Sequence, residues 1–330
     1  MEHTIIIGAG PCGLAAAIEL QSISVSPLII EKRNIVYSIS QYPTYMHFFS
    51  SPELLEIGDI PFTTANDKPS RLEALNYYRT AAQRHNVRIQ PYETVTGIVR
   101  EANGLFKLSS HDRFGEPIER TCRHVIIATG YFDHPNRLGI PGEESDKVSH
   151  FFREAHPYAG MNVAIIGGSN SAIDAALELE RIGAKVTIVY RGADYSRSIK
   201  PWVRPMLESK VSKGLIGFRF SSKVIEIHPR HIVVENGDET VELPNDFVLA
   251  LTGFHPDRQF LTQSGVTIEE EGYPTFCEET METNVSGIYL AGVVASKHEA
   301  NEIFIETGRY HGRKIAAHMT ERMKETNSET

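Results

Sequence analysis

Two stretches of the chain, starting about 160 residues apart, repeat one order of elements. Each has a short apolar run, a glycine-rich turn, a helix-forming run and a second apolar run. In the first, His3-Thr4-Ile5-Ile6-Ile7 meets Gly8-Ala9-Gly10-Pro11-Cys12-Gly13, then Leu14 to Leu20, then Pro27 to Ile30 ending at Glu31. Short continuous apolar runs fit parallel strands covered on both faces. The stretch after the turn is rich in helix formers. In the second, Asn162 to Ile166 is the strand and Gly167-Gly168-Ser169-Asn170-Ser171-Ala172 the turn. Ile173 to Arg181 reads as a helix with Gly183 just past its end, and Lys185 to Tyr190 as the next strand. The duplication predicts an α/β chain with two Rossmann-like dinucleotide-binding domains. The expected layout is a first domain over residues 1–155, an inserted one over 156–253, and a return to the first over 254–330.

Between the repeats, residues 37–64 are aromatic, proline-punctuated and poor in helical periodicity, which predicts a long irregular and functional loop. Ser70 to His85 reads as a helix. His124 to Gly130 and Phe247 to Gly253 are apolar runs ending in glycine turns, and Gly287 to Gly292 is one more buried strand. A last helix is expected from about Asn301 to Arg322, with a frayed polar tail after it.

Composition removes several function classes. Acidic residues outnumber basic ones by 42 to 33, for a net charge of −9, against the basic footprint that nucleic-acid binding needs. No apolar run approaches the roughly 18 residues of a membrane span. The first strand-like run begins at about His3, so no secretory signal is expected. The three cysteines, Cys12, Cys122 and Cys277, are too few for a disulfide framework and form neither a CxxC pair nor a zinc knuckle. A reducing cytoplasm is the expected compartment.

A lone GxGxxG is weak evidence, but here it follows a strand, opens a helix and has an acid 21 residues beyond Gly10. Gly8 permits the tight turn. Gly10 lets the backbone approach a pyrophosphate, which the start of the helix at Pro11 and Cys12 favours, and Gly13 allows close helix–strand packing. Glu31 can accept from ribose hydroxyls and repels a 2′-phosphate. In the second motif Ser169 replaces the middle glycine of Gly167, Gly168, Ser169, Asn170 and Ser171, and the following strand ends in Tyr190-Arg191 with no acid. A guanidinium there pairs with a 2′-phosphate, which favours NADPH over NADH. Arg197 or Lys200 could assist. Two such sites imply two dinucleotides, with FAD in the first and NADPH in the second as the common partition. Ala128, Thr129, Gly130, Gly292 and Val293 are then expected beside the flavin nucleotide, and Val95 beside its adenine. Lys32, Gln41, Tyr42 and His47 are further candidates on the flavin side, and Thr252 and Gly253 on the NADPH side.

These residues resemble the thioredoxin-reductase-like flavoproteins over essentially the whole chain. Within that group the chain is similar to the YpdA-type bacillithiol disulfide reductases. The resemblance rests on Gly8 to Leu14, Tyr42-Pro43-Thr44, Phe48 to Ser51, Leu55 to Asp59, Ala128 to Tyr131, Asp133 to Asn136, Ser198 to Trp202 and Asn301 to Glu306. It implies NADPH-dependent, FAD-mediated reduction of a low-molecular-weight disulfide, by a homo-oligomer (dimer or tetramer). The CxxC of thioredoxin reductases is missing, and Val293 stands after Ala291-Gly292 where the wider group carries a flavin-binding aspartate.

Cys12 is the cysteine that sequence places beside the flavin. The helix start favours a thiolate there, and the adjacent pyrophosphate opposes it. As candidate catalytic residue it would attack the substrate disulfide, form a mixed disulfide and release one thiol; the alternative is a small residue fitting the turn. Cys122 and Cys277 are expected to be structural. Lys297, His298, Arg309, His311, Arg313 and Lys314, with Lys200 and Arg204, are candidates for a basic substrate pocket, against a solvated face balanced by Glu299, Glu302 and Glu306. The rival readings are a ferredoxin- or flavodoxin-NADP reductase, whose acidic partner calls for a basic surface, a flavin monooxygenase, whose FxGxxxH order is missing, and a non-catalytic redox sensor.

Overall fold

The computed structural model describes residues 1–297 and 302–328 and divides the chain into two compact units: residues 1–134 with the stretch from 254 onward, and residues 135–253. The first unit opens with β1 (Glu2–Ile7), helix α1 (Pro11–Ser22) and β2 (Leu28–Glu31). Ile5, Ile6, Ile29 and Ile30 are fully buried, as strands covered on both faces require. Burial of each such side chain is worth about 1.5–3 kcal/mol. Helix α1 is small-residued and buried along Gly13 to Ile18.

The stretch predicted as one long irregular loop contains two short helices, α2 (Tyr37–Gln41) and α3 (Pro52–Leu55). Its order comes from the next helix, α4 (Arg71–Arg84). The Tyr78 hydroxyl donates to Leu55 O at 2.9 Å, the Tyr77 hydroxyl donates to Ile60 O at 2.7 Å, and Arg71 donates to Ile39 O at 3.1 Å. Ser70 caps α4 in a capping box, its hydroxyl accepting from Glu73 N–H while Glu73 accepts from Ser70 N–H at 2.7 Å.

Strands β3 (Arg88–Pro91), β4 (Glu93–Arg100), β5 (Phe106–Asp112) and β6 (Pro117–Ile127) complete most of the first sheet, in the order β3-β2-β1-β6-β5-β4. The long β6 serves two neighbours. Its beginning pairs antiparallel with β5 and its end pairs parallel with β1.

In the second unit, β7 (Val148–Ser149), β8 (Asn162–Ile166), helix α5 (Asn170–Arg181), β9 (Lys185–Val189), helix α6 (Arg204–Ser212) and β10 (Ile216–Arg219) precede an antiparallel meander. That meander is β11 (Lys223–Ile227), β12 (His231–Asn236) and β13 (Glu239–Pro244), and β14 (Phe247–Ala250) follows. The parallel sheet runs β10-β9-β8-β14-β7. Ala164, Ile166, Val189 and Val248 of that sheet pack with Val224, Ile227, Ile232 and Val234 of the meander.

The unit begins about twenty residues earlier than the expected boundary between residues 155 and 156. The reason is β-pairing: Val148 and Ser149 are in register with Val248 and Leu249, and Ile227 N–H donates to Pro141 O at 2.9 Å. A two-residue strand leaves no periodicity to read.

Back in the first unit lie α7 (Arg258–Gln263), β15 (Ile288–Leu290), α8 (Ile305–Gly308) and α9 (His311–Ser328). The single last helix expected from Asn301 is therefore two, and Asn301 lies outside the described residues. Helix α9 lies directly on α1: a Cβ at Gly312 would stand 2.6 Å from Ala16 Cα. No helix among the described residues is long and apolar enough to cross a membrane.

Candidate functional site

Strand register gathers the first site. Ile7 pairs with Ile30 and with Ile127, and Ile127 pairs with Leu290. The residues just beyond these positions (Gly8, Glu31, Ala128 and Ala291) therefore lie at one edge, the carboxyl ends of four parallel strands. Ligands of open α/β sheets bind at that edge.

Each glycine of the first turn has a distinct physical reason. Gly8 has φ +109°, and a Cβ there would stand 2.4 Å from Ala128 O. A Cβ at Gly13 would stand 2.1 Å from Gly8 O. At Gly10, the residue before α1, a Cβ would meet no protein atom within 4 Å, so that position faces open space. Ala9 N–H donates to Glu31 Oε2 at 2.7 Å and Arg33 N–H donates to Glu31 Oε1 at 2.9 Å. The carboxylate is thus fixed, with a further lone pair on each oxygen for ribose hydroxyls. Burial pushes its pKa upward and the two N–H donors pull the other way.

The other flavin-side candidates separate. Lys32 is spent on Asp133 at 2.7 Å. Gln41 donates to Ser40 Oγ at 3.1 Å. The Tyr42 ring packs edge-on to Phe132 at 5.3 Å, and burial pushes its hydroxyl pKa up. His47 is exposed and its backbone bridges Ser70. Val95 lies on β4 next to a bulge. Thr129 and Gly130 (φ +72°) continue the turn from Ala128. Gly292 (φ +80°) opens the turn that carries Val293.

Cys12 lies on the first turn of α1, packed against two glycines. A Cβ on Gly292 would stand 3.0 Å from Cys12 Sγ, and one on Gly308 would stand 2.8 Å from it. Burial pushes the thiol up to about 12. The sequence left open whether the helix start or its surroundings decide the state of this thiol; in the structure desolvation keeps it protonated. Cys122 is also buried and pushed up to about 12, and Cys277 is exposed.

The second unit repeats the edge. Ile166 pairs with Val189 and with Ala250, which places Gly167, Tyr190, Leu251, Thr252 and Gly253 together. Gly167 has φ +136°, and a Cβ there would stand 2.4 Å from Leu251 O. The Tyr190 ring covers Gly168 and Gly192, leaving no space for a side chain on either. Ser169 precedes α5, and Asn170 staples the following loop: it donates to Ser198 O at 2.8 Å and accepts from Lys200 N–H at 3.0 Å. Ser171 is exposed on the first turn of α5. Arg191 and Arg197 are exposed, and neither has an ionic partner among the described residues. Asn136 N–H donates to Gly253 O at 2.9 Å and the Thr252 hydroxyl donates to Asn136 O, which fixes the exit turn.

Most of the basic residues expected around the substrate are engaged by nearby groups. Lys297 pairs with Glu278, and Lys314 donates to Glu278 O at 2.8 Å. Arg309 donates to Glu53 O and Glu56 O at 2.9 and 2.6 Å, Arg313 pairs with Glu19 at 2.7 Å, and Arg204 pairs with Glu208 at 2.7 Å. Lys200 stands over the Trp202 ring at 5.6 Å, and His298 and Glu299 lie outside the described residues. His311 is buried rather than solvated. Sequence reasoning missed Gly308 and Arg258, whose contacts are long-range and leave no local pattern.

Residues 5–292 match the pattern of the pyridine nucleotide-disulphide oxidoreductases. The chain belongs to that family. Among members of this oxidoreductase family, the chain is 50% identical over 324 residues to the bacilliredoxin reductase Bdr of Bacillus subtilis (strain 168), covering 97% of this chain and 98% of that protein. The bacillithiol disulfide reductase Bdr (YpdA) of Bacillus cereus superposes with a TM-score of 0.95 at 48% identity, over 97% of this chain and 99% of that one. The Staphylococcus aureus protein of the same name gives 0.92 at 44%, over 97% and 98%. The oxidoreductase fold is thioredoxin-reductase-like, as the family resemblance implies, and it carries the two Rossmann-like domains that the duplicated pattern predicts.

Proposed function

We propose that the chain is an NADPH-dependent FAD flavoprotein that reduces the disulfide of a low-molecular-weight thiol, bacillithiol disulfide foremost. The observation that carries this reading is the pair of nucleotide edges in a chain without a CxxC pair, with near full-length similarity to Bdr proteins. Without that pair, dithiol exchange of the thioredoxin reductase type has no residues to use.

The residues fit both cofactors. At the first edge Glu31 holds ribose hydroxyls, Gly10 leaves room for a pyrophosphate, and the start of α1 faces its charge. FAD bound there supplies two-electron transfer between nicotinamide and disulfide. At the second edge Gly167 to Ser171 hold the pyrophosphate of NADPH, and Arg191 and Arg197 hold its 2′-phosphate. No acid ends β9 to repel that group.

Cys12 is the cysteine at the first edge and the one that exchanges with substrate. It rests as a thiol, so attack begins with loss of its proton. Its sulfur bonds to one sulfur of the substrate, the substrate S–S bond breaks and one thiol leaves. Two electrons originating from NADPH, with two protons, one from the hydride and one from solvent, then release the second thiol and restore the Cys12 thiol. With three cysteines and no disulfide framework, we place the protein in a reducing cytoplasm.

The test is steady-state NADPH oxidation with bacillithiol disulfide, glutathione disulfide, coenzyme A disulfide, a bacilliredoxin, ferredoxin and oxygen as acceptors. Turnover greatest with bacillithiol disulfide supports the reading. Turnover with ferredoxin and with no disulfide selects the ferredoxin reductase alternative, and nucleotide binding without turnover selects a sensor. Cys12→Ala is expected to abolish disulfide turnover; unchanged turnover makes the residue a packing one.

A further inference from the structure

The turn after β15 runs from Gly292 to Ser296 and brings no carboxylate to the first edge. It is held by two side chains from elsewhere in the unit. His311 is buried at the start of α9, and its Nδ1 accepts from Gly292 N–H at 3.1 Å. That bond assigns the ring proton to Nε2. Arg258, the first residue of α7, donates from Nη1 to Val294 O at 2.7 Å and from Nη2 to Ser296 O at 2.6 Å. Asp257 caps α7 by accepting from Phe260 N–H at 2.9 Å, which fixes where the arginine starts. The turn is also pressed on the first glycine turn through the contact of Gly292 with Cys12.

Two consequences follow from these bonds. The carbonyls of Val294 and Ser296 each accept from the guanidinium, which fixes the direction in which they point. The amide of Gly292 is committed to His311. Among the described residues the amides of Val293 and Val294 have no acceptor, and Val294 is fully buried. The turn therefore has two uncommitted amides with which to donate to a ligand, and four of its carbonyls are already hydrogen-bonded within the protein.

We infer that His311 and Arg258 are positioning residues for the flavin, which set the orientation of the Gly292–Ser296 backbone so that it presents donors to the cofactor. The inference rests on the FAD reading of the first edge. His311 acts through an accepting Nδ1, so a side chain that puts an acceptor in the same place preserves the effect. Asn does so, because its Oδ1 occupies nearly the position of a histidine Nδ1. Gln is one carbon longer and does not. Arg258 acts through two donors, so Met keeps its bulk and removes its action.

The experiment measures FAD affinity of the full-length apoprotein by flavin fluorescence, together with the flavin absorption spectrum and the thermal midpoint of each apoprotein. His311→Asn is expected to bind FAD within about threefold of the wild type. His311→Gln and Arg258→Met are expected to bind about tenfold more weakly or worse, the loss attached to one misplaced buried hydrogen-bond group. Their flavin spectra are expected to shift toward that of the free cofactor. Equal FAD affinity in all four proteins overturns the inference, and so does an His311→Asn variant as weak as His311→Gln. A wild-type protein that binds no FAD overturns the first-edge reading itself, and the inference with it.

Discussion

The thiol of Cys12 is expected to resist alkylation in the native protein, by a margin that its surroundings allow to be worked out. Burial pushes it up to about 12, and its sulfur packs against Gly292 and Gly308. At about pH 7.5 the thiolate is then roughly one molecule in 10⁴ to 10⁵, against about one in ten for an ordinary cysteine. A more basic thiolate is intrinsically a better nucleophile, which returns about 1.5 powers of ten. The net expectation is labelling at least about a hundredfold slower than for the same residue in the unfolded chain. Iodoacetamide labelling followed by peptide mass spectrometry, native against urea-denatured, reads all three cysteines at once. Cys277 is the exposed control, and Cys122, fully buried on β6, should label more slowly still than the partly exposed Cys12. Native labelling of Cys12 within about tenfold of its denatured rate would refute the argument that desolvation holds this thiol protonated. It would also mean that, if Cys12 is the proposed nucleophile, it is ready before substrate arrives.

Three other expectations follow from the fold. Gly13→Ala puts a Cβ 2.1 Å from Gly8 O and should cost about 3 kcal/mol in thermal stability, whereas Gly10→Ala meets no protein atom and should melt like the wild type while losing flavin affinity. Ser70→Ala removes one half of the α4 capping box and should lower stability in urea by about 1 kcal/mol without altering the flavin spectrum. Burial holds His124 and His311 near 4, so between about pH 6.5 and 4 the unfolded chain takes protons that the native one refuses. Their contribution, at most roughly 3 kcal/mol each, is complete above pH 6.5 and falls as the solution is acidified. A urea midpoint that does not drop between pH 7 and pH 5 would contradict this.

The parts of the site legible from sequence are those encoded locally. Gly8, Gly10, Gly13 and Glu31 are recognisable because a strand, a turn and a helix start each leave a mark within a few residues, and the register of β1, β2 and β6 then assembles them. Ser70 to His85 reads as a helix because its cap and its apolar spacing agree. What stayed hidden depends on distant partners. Lys297, Arg309, Arg313 and Lys314 look like a basic pocket along the chain, yet each is neutralised or occupied by groups from far away in sequence. Gly308 is unremarkable until the fold brings it against Cys12. The boundary at residue 134 was displaced because β7 is too short to announce itself.

The placement of residues 135–253 between β6 and β15 has a consequence for how the polypeptide is made. The inserted unit is continuous, so everything it needs has left the ribosome by the time Gly253 emerges. The unit around it is interrupted. Its sheet lacks β15, and α1 lacks the cover of α9, until residues 288–328 are translated. Joining those ends closes a loop of about 120 residues, although a pre-folded insert shortens the effective span and lowers the entropy lost. Biogenesis should therefore run from the middle outward, with the flavin edge, split across both ends of the chain, assembled last.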